Sequence, residues 1–265
     1  MFLSDIEKKI SEEYLTQGYV VREIEDLKAL DFIKDIMCNY ITNKFPKSKE
    51  SKKDNILNNI HKHIAIPDLN QFRLDLIDKF NSSNNFRESY YKIAKSLIDI
   101  VVGNEVAMQL RAGLSIQLPD DDSSLLPVHA DTWSGVSPFE TVVWLPLVNC
   151  FKTKSMYILP PNKNKILYEL FSNKKVKKSQ DIYQAIKKDL IWLDVKYGQV
   201  VIFDHSLPHG NVVNEENETR WSMNCRFKSI FTPYADKRIG EYYEPITLRA
   251  ASKRGIAYKH PKSSQ

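Results

Sequence analysis

A chain of 265 residues with 42% hydrophobic and 27% charged residues can bury a sizeable core and is neither disordered nor fibrous. No apolar run reaches the roughly 18 residues that span a bilayer, and acids interrupt the N-terminus (Asp5, Glu7) where a secretory leader would be apolar, so a cytoplasmic protein without membrane contact is expected. The net charge of +5 is modest, and Cys38, Cys150 and Cys225 form no CxxC pair, which reads as buried or half-buried thiols in a reducing compartment.

Apolar residues at Leu3, Ile6, Ile10, Tyr14 and Leu15 predict an amphipathic helix that Gly18 ends. Tyr19 to Ile24 reads as a short strand, and Asp26 as the cap of a helix to about Tyr40. A lysine- and serine-rich loop, Lys44 to Lys53, precedes helical patterning over Ile56 to Ile66 and Leu69 to Phe80. His61 and His63 fall on the first of these among lysines and are expected in solvent. Ser82 to Asn85 caps a further helix from Phe86 to Val101. Residues 1–102 are therefore mainly helical.

Beyond Gly103 the period changes to two. Arg111, Gly113, Ser115 and Gln117 alternate with Ala112, Leu114, Ile116 and Leu118, which predicts a strand with one polar and one apolar face. Further strands are expected over Thr141 to Val148, Ser155 to Leu159, Ile191 to Val195, Gln199 to Phe203 and Arg220 to Phe231. Many short strands bounded by Pro, Gly, Asn and Asp, with the helices ahead of them, point to a sandwich or jelly roll. Between Lys152 and Lys188 ten lysines face two acids, Glu169 and Asp181, with helical spacing over Ile166 to Phe171 and Ile182 to Ile186. This insertion reads either as a solvated lysine face or as an electropositive rim for an anionic substrate. It has too little arginine and too few aromatics for a nucleic-acid groove. The expected organisation is one domain over residues 1–265: a jelly-roll core over 103–232 interrupted at 152–188, and a C-terminal extension over 233–265 with a polar end.

His129 and Asp131, two apart on an extended segment, point to one side, and His209 can supply a third donor. Two histidines and a carboxylate form the facial triad that holds non-haem Fe(II) and leaves positions open for oxygen chemistry. His205 competes for the third place, but Gly210 lets the chain turn beside His209. On the last long strand Arg220, Ser222, Asn224 and Arg226 share a face opposite Trp221, Met223, Cys225 and Phe227. An inward arginine requires a partner, and a ligand carboxylate fits Arg220, with the Ser222 hydroxyl as second donor. Arg226 is the alternative clamp or a rim ion pair. Trp133, Arg111 and Asn211 are candidate substrate contacts; the alternatives are a core tryptophan and a rim ion pair.

The series His129-x-Asp131, His209-Gly210 and Arg220-x-Ser222 resembles the Fe(II)/2-oxoglutarate-dependent oxygenases, and within them the phytanoyl-CoA-hydroxylase-like branch, including bacterial members found among polysaccharide and sugar biosynthesis genes. Val142 to Val148 and Ser155 to Pro161 are similar to that group's connecting strands, whereas Asn149-Cys150 and Pro160-Pro161-Asn162-Lys163 depart from its usual elements and leave the triad intact. The resemblance implies a double-stranded β-helix (cupin-like jelly roll) with a helical layer on one sheet. It implies Fe(II) on His129, Asp131 and His209, the distal carboxylate of 2-oxoglutarate on Arg220 and Ser222, and Trp144 and Gln117 lining the cosubstrate site. It also implies consumption of O2, release of succinate and CO2, and hydroxylation of a small or carrier-linked carbohydrate. The alternatives are the same chemistry on an amino acid or secondary metabolite, or a cupin-like sugar-binding protein or isomerase without redox chemistry.

Overall fold

The first two helices begin where the sequence supplies caps, whereas the cap expected at Ser82 to Asn85 is not made: Asn85 enters its helix with a left-handed backbone and no side-chain cap hydrogen bond. In the computed structural model, which describes residues 2–46, 48, 53–173, 176 and 178–261, Ser4 and Glu7 cap each other's backbone at the start of α1 (Asp5–Gln17), and Gly18, at φ +79°, closes it. The Asp26 carboxylate accepts the Ala29 amide and opens α2 (Leu27–Lys44) after the strand β1 (Tyr19–Glu23). Then come α3 (Lys53–Asn58), a 3-10 turn (Ile60–Lys62) and α4 (Ile66–Asn81). Of the expected loop Lys44 to Lys53, residues 47 and 49–52 lie outside the described residues. The single helix expected over Phe86 to Val101 is two, α5 (Phe86–Lys92) and α6 (Lys95–Val101). Glu25 divides them: its amide donates to the Ile93 carbonyl at 3.3 Å and its carboxylate accepts from the Ser96 amide at 2.9 Å. His61 and His63 are half-buried where solvent was expected, His61 beside the Thr219 hydroxyl and His63 stacked on Phe45.

The strands are β2 (Val106–Gln109), β3 (Gly113–Gln117), β4 (Glu140–Pro146), β5 (Tyr157–Ile158), β6 (Ile191–Trp192), β7 (Gln199–Phe203), β8 (His209–Gly210), β9 (Arg220–Ser229) and β10 (Tyr243–Pro245). A large antiparallel sheet runs β1-β7-β4-β9-β2-β10, with β3 pairing the N-terminal half of β9. A small sheet runs β6-β5-β8 and is extended by the pair His129 and His209. From β3 onward the chain alternates: large sheet, small at His129, large at β4, small at β5 and β6, large at β7, small at β8, large at β9. That alternation is a double-stranded β-helix, the jelly roll, and it leaves an interior between the two sheets. β2, β10 and the last helix α9 (Ala250–Ile256) have no counterpart in the sequence reading; β2 is buried at every position and shows no period.

The helical layer covers the outer face of the large sheet. Trp221, Met223, Cys225 and Phe227, the outward row of β9, are all fully buried among helix residues. Trp221 meets Phe72 edge-on at 6.2 Å and donates its indole N–H to the Leu57 carbonyl, while Tyr90 donates to the Val143 carbonyl. Because β4 is covered by helices on one side and faces the jelly-roll interior on the other, all seven of its residues are buried. Trp221→Ala is expected to lower the unfolding free energy by about 3–5 kcal/mol, the usual cost of deleting a fully buried tryptophan, in a urea titration; a loss below about 1 kcal/mol would mean that the layer is anchored elsewhere. All three cysteines are buried, and no disulfide forms among the described residues.

The insertion folds as α7 (Lys165–Ser172) and α8 (Ser179–Ile186), packed on the small sheet through Leu167, Ile182 and Ile186 against Val128, Tyr157 and Leu159. Lys174, Lys175 and Lys177 lie outside the described residues. Lys154 is not part of a solvated face: it is fully buried, and its ammonium donates to Asn58 and Glu218.

Candidate active site

The three donors of the sequence motif converge inside the jelly roll. His129 and His209 exchange backbone hydrogen bonds, N–H to O at 3.0 and 2.8 Å, which sets their rings side by side with centroids 4.4 Å apart. Ala130 is extended, but the chain turns at Asp131 into a 3-10 turn, Asp131–Ser134, where a strand was expected. The Asp131 amide donates to the His205 carbonyl at 3.0 Å, which pins that turn to the chain leaving β7. One donor atom from each of His129, Asp131 and His209 lies within 4.8 Å of the others.

The surroundings select which atoms are free. Nδ1 of His129 is 2.8 Å from the Pro127 carbonyl and Nδ1 of His209 is 2.8 Å from the Leu207 carbonyl. A carbonyl only accepts, so each Nδ1 carries a proton and Nε2 is the nitrogen left to face a metal. Burial, together with His129 alongside, pushes His209 down to about 4, so that ring stays neutral. Asp131 divides its oxygens. Oδ1 lies 3.8 Å from His129 Nε2, while Oδ2 accepts from Arg226 Nη2 at 2.6 Å and sits 3.2 Å from His205 Nδ1. Burial alone would raise this carboxyl; the His205 hydrogen bond and the Arg226 charge overcome it and hold Asp131 well below the usual carboxylate range. The donor set, two imidazole nitrogens and one ionised carboxylate, fits a divalent metal such as iron.

His205 itself is fully buried, with Nε2 3.0 Å from the Ser137 carbonyl. Both its ring nitrogens face oxygens, so neither is free as a ligand.

A cavity of about 250 Å³ opens from the triad and is lined by Trp144, Met156, Ser222 and Arg220, among others. Arg220 is 3% exposed. Its guanidinium donates to the Ser155 carbonyl at 3.1 Å and the Ser115 hydroxyl at 2.6 Å, and its Nε is buried without a partner. Burial lowers its affinity for its proton, and no carboxylate stands beside it to oppose that. A buried guanidinium held in this way keeps its charge without a counter-ion and has an N–H left to donate.

The same cavity is lined by Asn211, whose side-chain oxygen accepts the Leu126 amide, and by Asn224 and Arg226. Every member of the inward row of β9, Arg220, Ser222, Asn224 and Arg226, therefore faces one cavity. Gln117 stands one layer back: it donates to the Val212 carbonyl and accepts from Asn211. Trp133 does not line the cavity, because the 3-10 turn swings it outward to 44% exposure, edge-on to Phe171 of α7 at 5.4 Å. Arg111 precedes β3, so the alternation does not reach it; it is exposed and paired with Asp78 on α4. Gly210 has no left-handed backbone; it is required because a Cβ there would lie 2.7 Å from the Leu126 carbonyl oxygen and the Tyr157 hydroxyl. Ser115 and Met156 also line the cavity, and the sequence offered only the alternation of β3 for the first and nothing for the second.

Among solved structures, the non-heme monooxygenase ThoJ in its apo form is similar, with a TM-score of 0.57 at 12% identity over 91% of this chain and 84% of its own. The chain shares ThoJ's fold. AviO1 from Streptomyces viridochromogenes Tue57 aligns with a TM-score of 0.52 at 16% identity, covering 86% of this chain and 97% of AviO1. HygX from Streptomyces hygroscopicus with nickel and 2-oxoglutarate bound aligns at 0.50 and 11% identity, covering 89% and 90%. No protein-family model matches the chain, and no curated protein matches it in sequence.

Proposed function

We propose that the chain is an Fe(II)- and 2-oxoglutarate-dependent oxygenase of the phytanoyl-CoA-hydroxylase-like branch that hydroxylates a small molecule. The observation that carries this reading is that a buried arginine without a carboxylate partner closes the same cavity that begins at a His-Asp-His triad. His129 and His209 through Nε2, and Asp131 through Oδ1, would hold the iron. Arg220, with the Ser222 hydroxyl, would receive the distal carboxylate of 2-oxoglutarate in fork geometry. Bound iron supplies the redox chemistry by which substrate, O2 and 2-oxoglutarate become hydroxylated product, succinate and CO2. Trp144, Met156, Val142 and Phe203 make the cavity wall apolar and keep water from the reacting groups. The presence of nickel and 2-oxoglutarate in HygX supports the cofactor assignment.

For the substrate, Leu126 and His129 are lining residues that stay accessible, and Trp133, two residues after Asp131 and outside that lining, is exposed edge-on to exposed Phe171. These aromatics offer an apolar platform that suits the face of a sugar ring, free or carrier-linked. An amino acid or secondary metabolite of the same size meets the same wall. Succinate release measured across sugar nucleotides and amino acids separates the two classes.

The deciding experiment is optical. Anaerobic Fe(II) with 2-oxoglutarate is expected to give a weak visible charge-transfer band that His129→Ala abolishes. No band in the unaltered protein, or an undiminished band in the variant, overturns the assignment. A sugar isomerase on this fold would have no use for Arg220 and would turn over without oxygen.

A further inference from the structure

A carboxylate beside a metal has two oxygens, and if both are free it can chelate and occupy two coordination positions. Asp131 does not have both free. Its Oδ2 accepts from Arg226 Nη2 at 2.6 Å and has His205 Nδ1 at 3.2 Å, while Oδ1 alone is turned toward His129 Nε2. The two restraining groups are themselves held. Arg226 Nη1 donates to the Tyr242 hydroxyl at 2.9 Å, and the far nitrogen of His205 is 3.0 Å from the Ser137 carbonyl. Tyr242 belongs to the segment after β9, and the Ser137 hydroxyl donates to Pro233 of that segment at 2.8 Å. The stretch from Pro233 to Tyr242 thus braces both ends of the arrangement.

We infer that Arg226, fixed by Tyr242 and aided by His205, is a positioning residue that restricts Asp131 to single-oxygen coordination and so preserves the open metal positions. This rests on the reading of the triad as a metal site, and it gives the C-terminal extension a task at that site. Arg226 is less suited than Arg220 to clamp the cosubstrate carboxylate, because its charge is already paired with Asp131, whereas no carboxylate faces Arg220. Groups that orient a ligand in this way commonly change metal affinity by about 10–100-fold when removed.

The test uses Co(II), whose absorption spectrum reports coordination number, titrated into the full chain without oxygen or cosubstrate. Arg226→Met is expected to weaken Co(II) about 10–100-fold and to alter the spectrum as Asp131 gains a second contact. Arg226→Lys, which keeps the charge but loses the fork, should recover only part of the affinity. Tyr242→Phe removes one hydroxyl and is the arm that decides if Arg226→Met does not fold; it should shift the spectrum in the same direction with a smaller loss, about threefold or more. Melting of the apoproteins is followed in parallel. Lowered melting with unchanged Co(II) affinity and spectrum in Arg226→Lys and Tyr242→Phe makes Arg226 merely structural and overturns the inference, leaving the metal site intact. If the unaltered chain takes up no Co(II), the triad reading falls, and the inference with it.

Discussion

Arg220→Met is expected to abolish high-affinity binding of 2-oxoglutarate while leaving the apoprotein at least as stable as before. The guanidinium is 3% exposed and has no carboxylate beside it, so in the absence of an anion it is a net cost to the fold. Replacing a buried charged group with an apolar side chain of similar volume is often neutral or stabilising by about 1–4 kcal/mol. The hydrogen bonds lost at the Ser155 carbonyl and the Ser115 hydroxyl take the result toward the lower end. For the cosubstrate the sign reverses. Removing one member of a buried, hydrogen-bonded charge pair costs about 2–5 kcal/mol, which is about 30-fold to several thousandfold in Kd. Arg220→Lys should fall between, since a point charge cannot reproduce the planar fork. The measurements are an anaerobic titration of 2-oxoglutarate into Co(II)-loaded protein and a urea titration of the apoprotein. If Arg220→Met unfolds more easily by about 2 kcal/mol or more and still binds 2-oxoglutarate normally, the arginine is structural.

How much of this could be read from the chain varies with the physics that fixed each part. The inward and outward rows of β9 were legible because the two faces meet different surroundings: Trp221, Met223, Cys225 and Phe227 enter an apolar layer, and Arg220, Ser222, Asn224 and Arg226 enter a polar-ended cavity. The helix boundaries at Gly18 and Asp26 were legible because a cap is a local interaction. The break between α5 and α6 was not, because Glu25, far away in sequence, imposes it. Trp133 and Arg111 were misplaced for one reason: alternation was extended past a strand's true end, into a 3-10 turn in one case and ahead of β3 in the other. The partners of Asp131 were beyond sequence reasoning, since His205 and Arg226 have the residue types of a ligand and a clamp. Only their distances to Oδ2 show that they hold the carboxylate.

Those distances set the second large effect. Asp131→Leu is expected to eliminate metal binding and also to destabilise the apoprotein, because the Arg226 guanidinium and the buried His205 lose the carboxylate that both face. Removing one partner of a buried ion pair costs about 3–5 kcal/mol. The side chains of Asp131 and Arg226 retain 13% and 17% exposure, which favours the lower end of that range. The second substitution then distinguishes a stranded charge from lost packing. In Asp131→Leu with Arg226→Leu no guanidinium is left without its partner, so the double variant should recover more than half of the lost stability while binding no metal. Chemical denaturation of the four proteins, Asp131→Leu, Arg226→Leu, the double and the unaltered chain, gives the coupling directly. A double variant no more stable than Asp131→Leu would show that charge pairing at Oδ2 does not hold this side of the jelly roll together, and that the loss comes from the Asp131 turn itself.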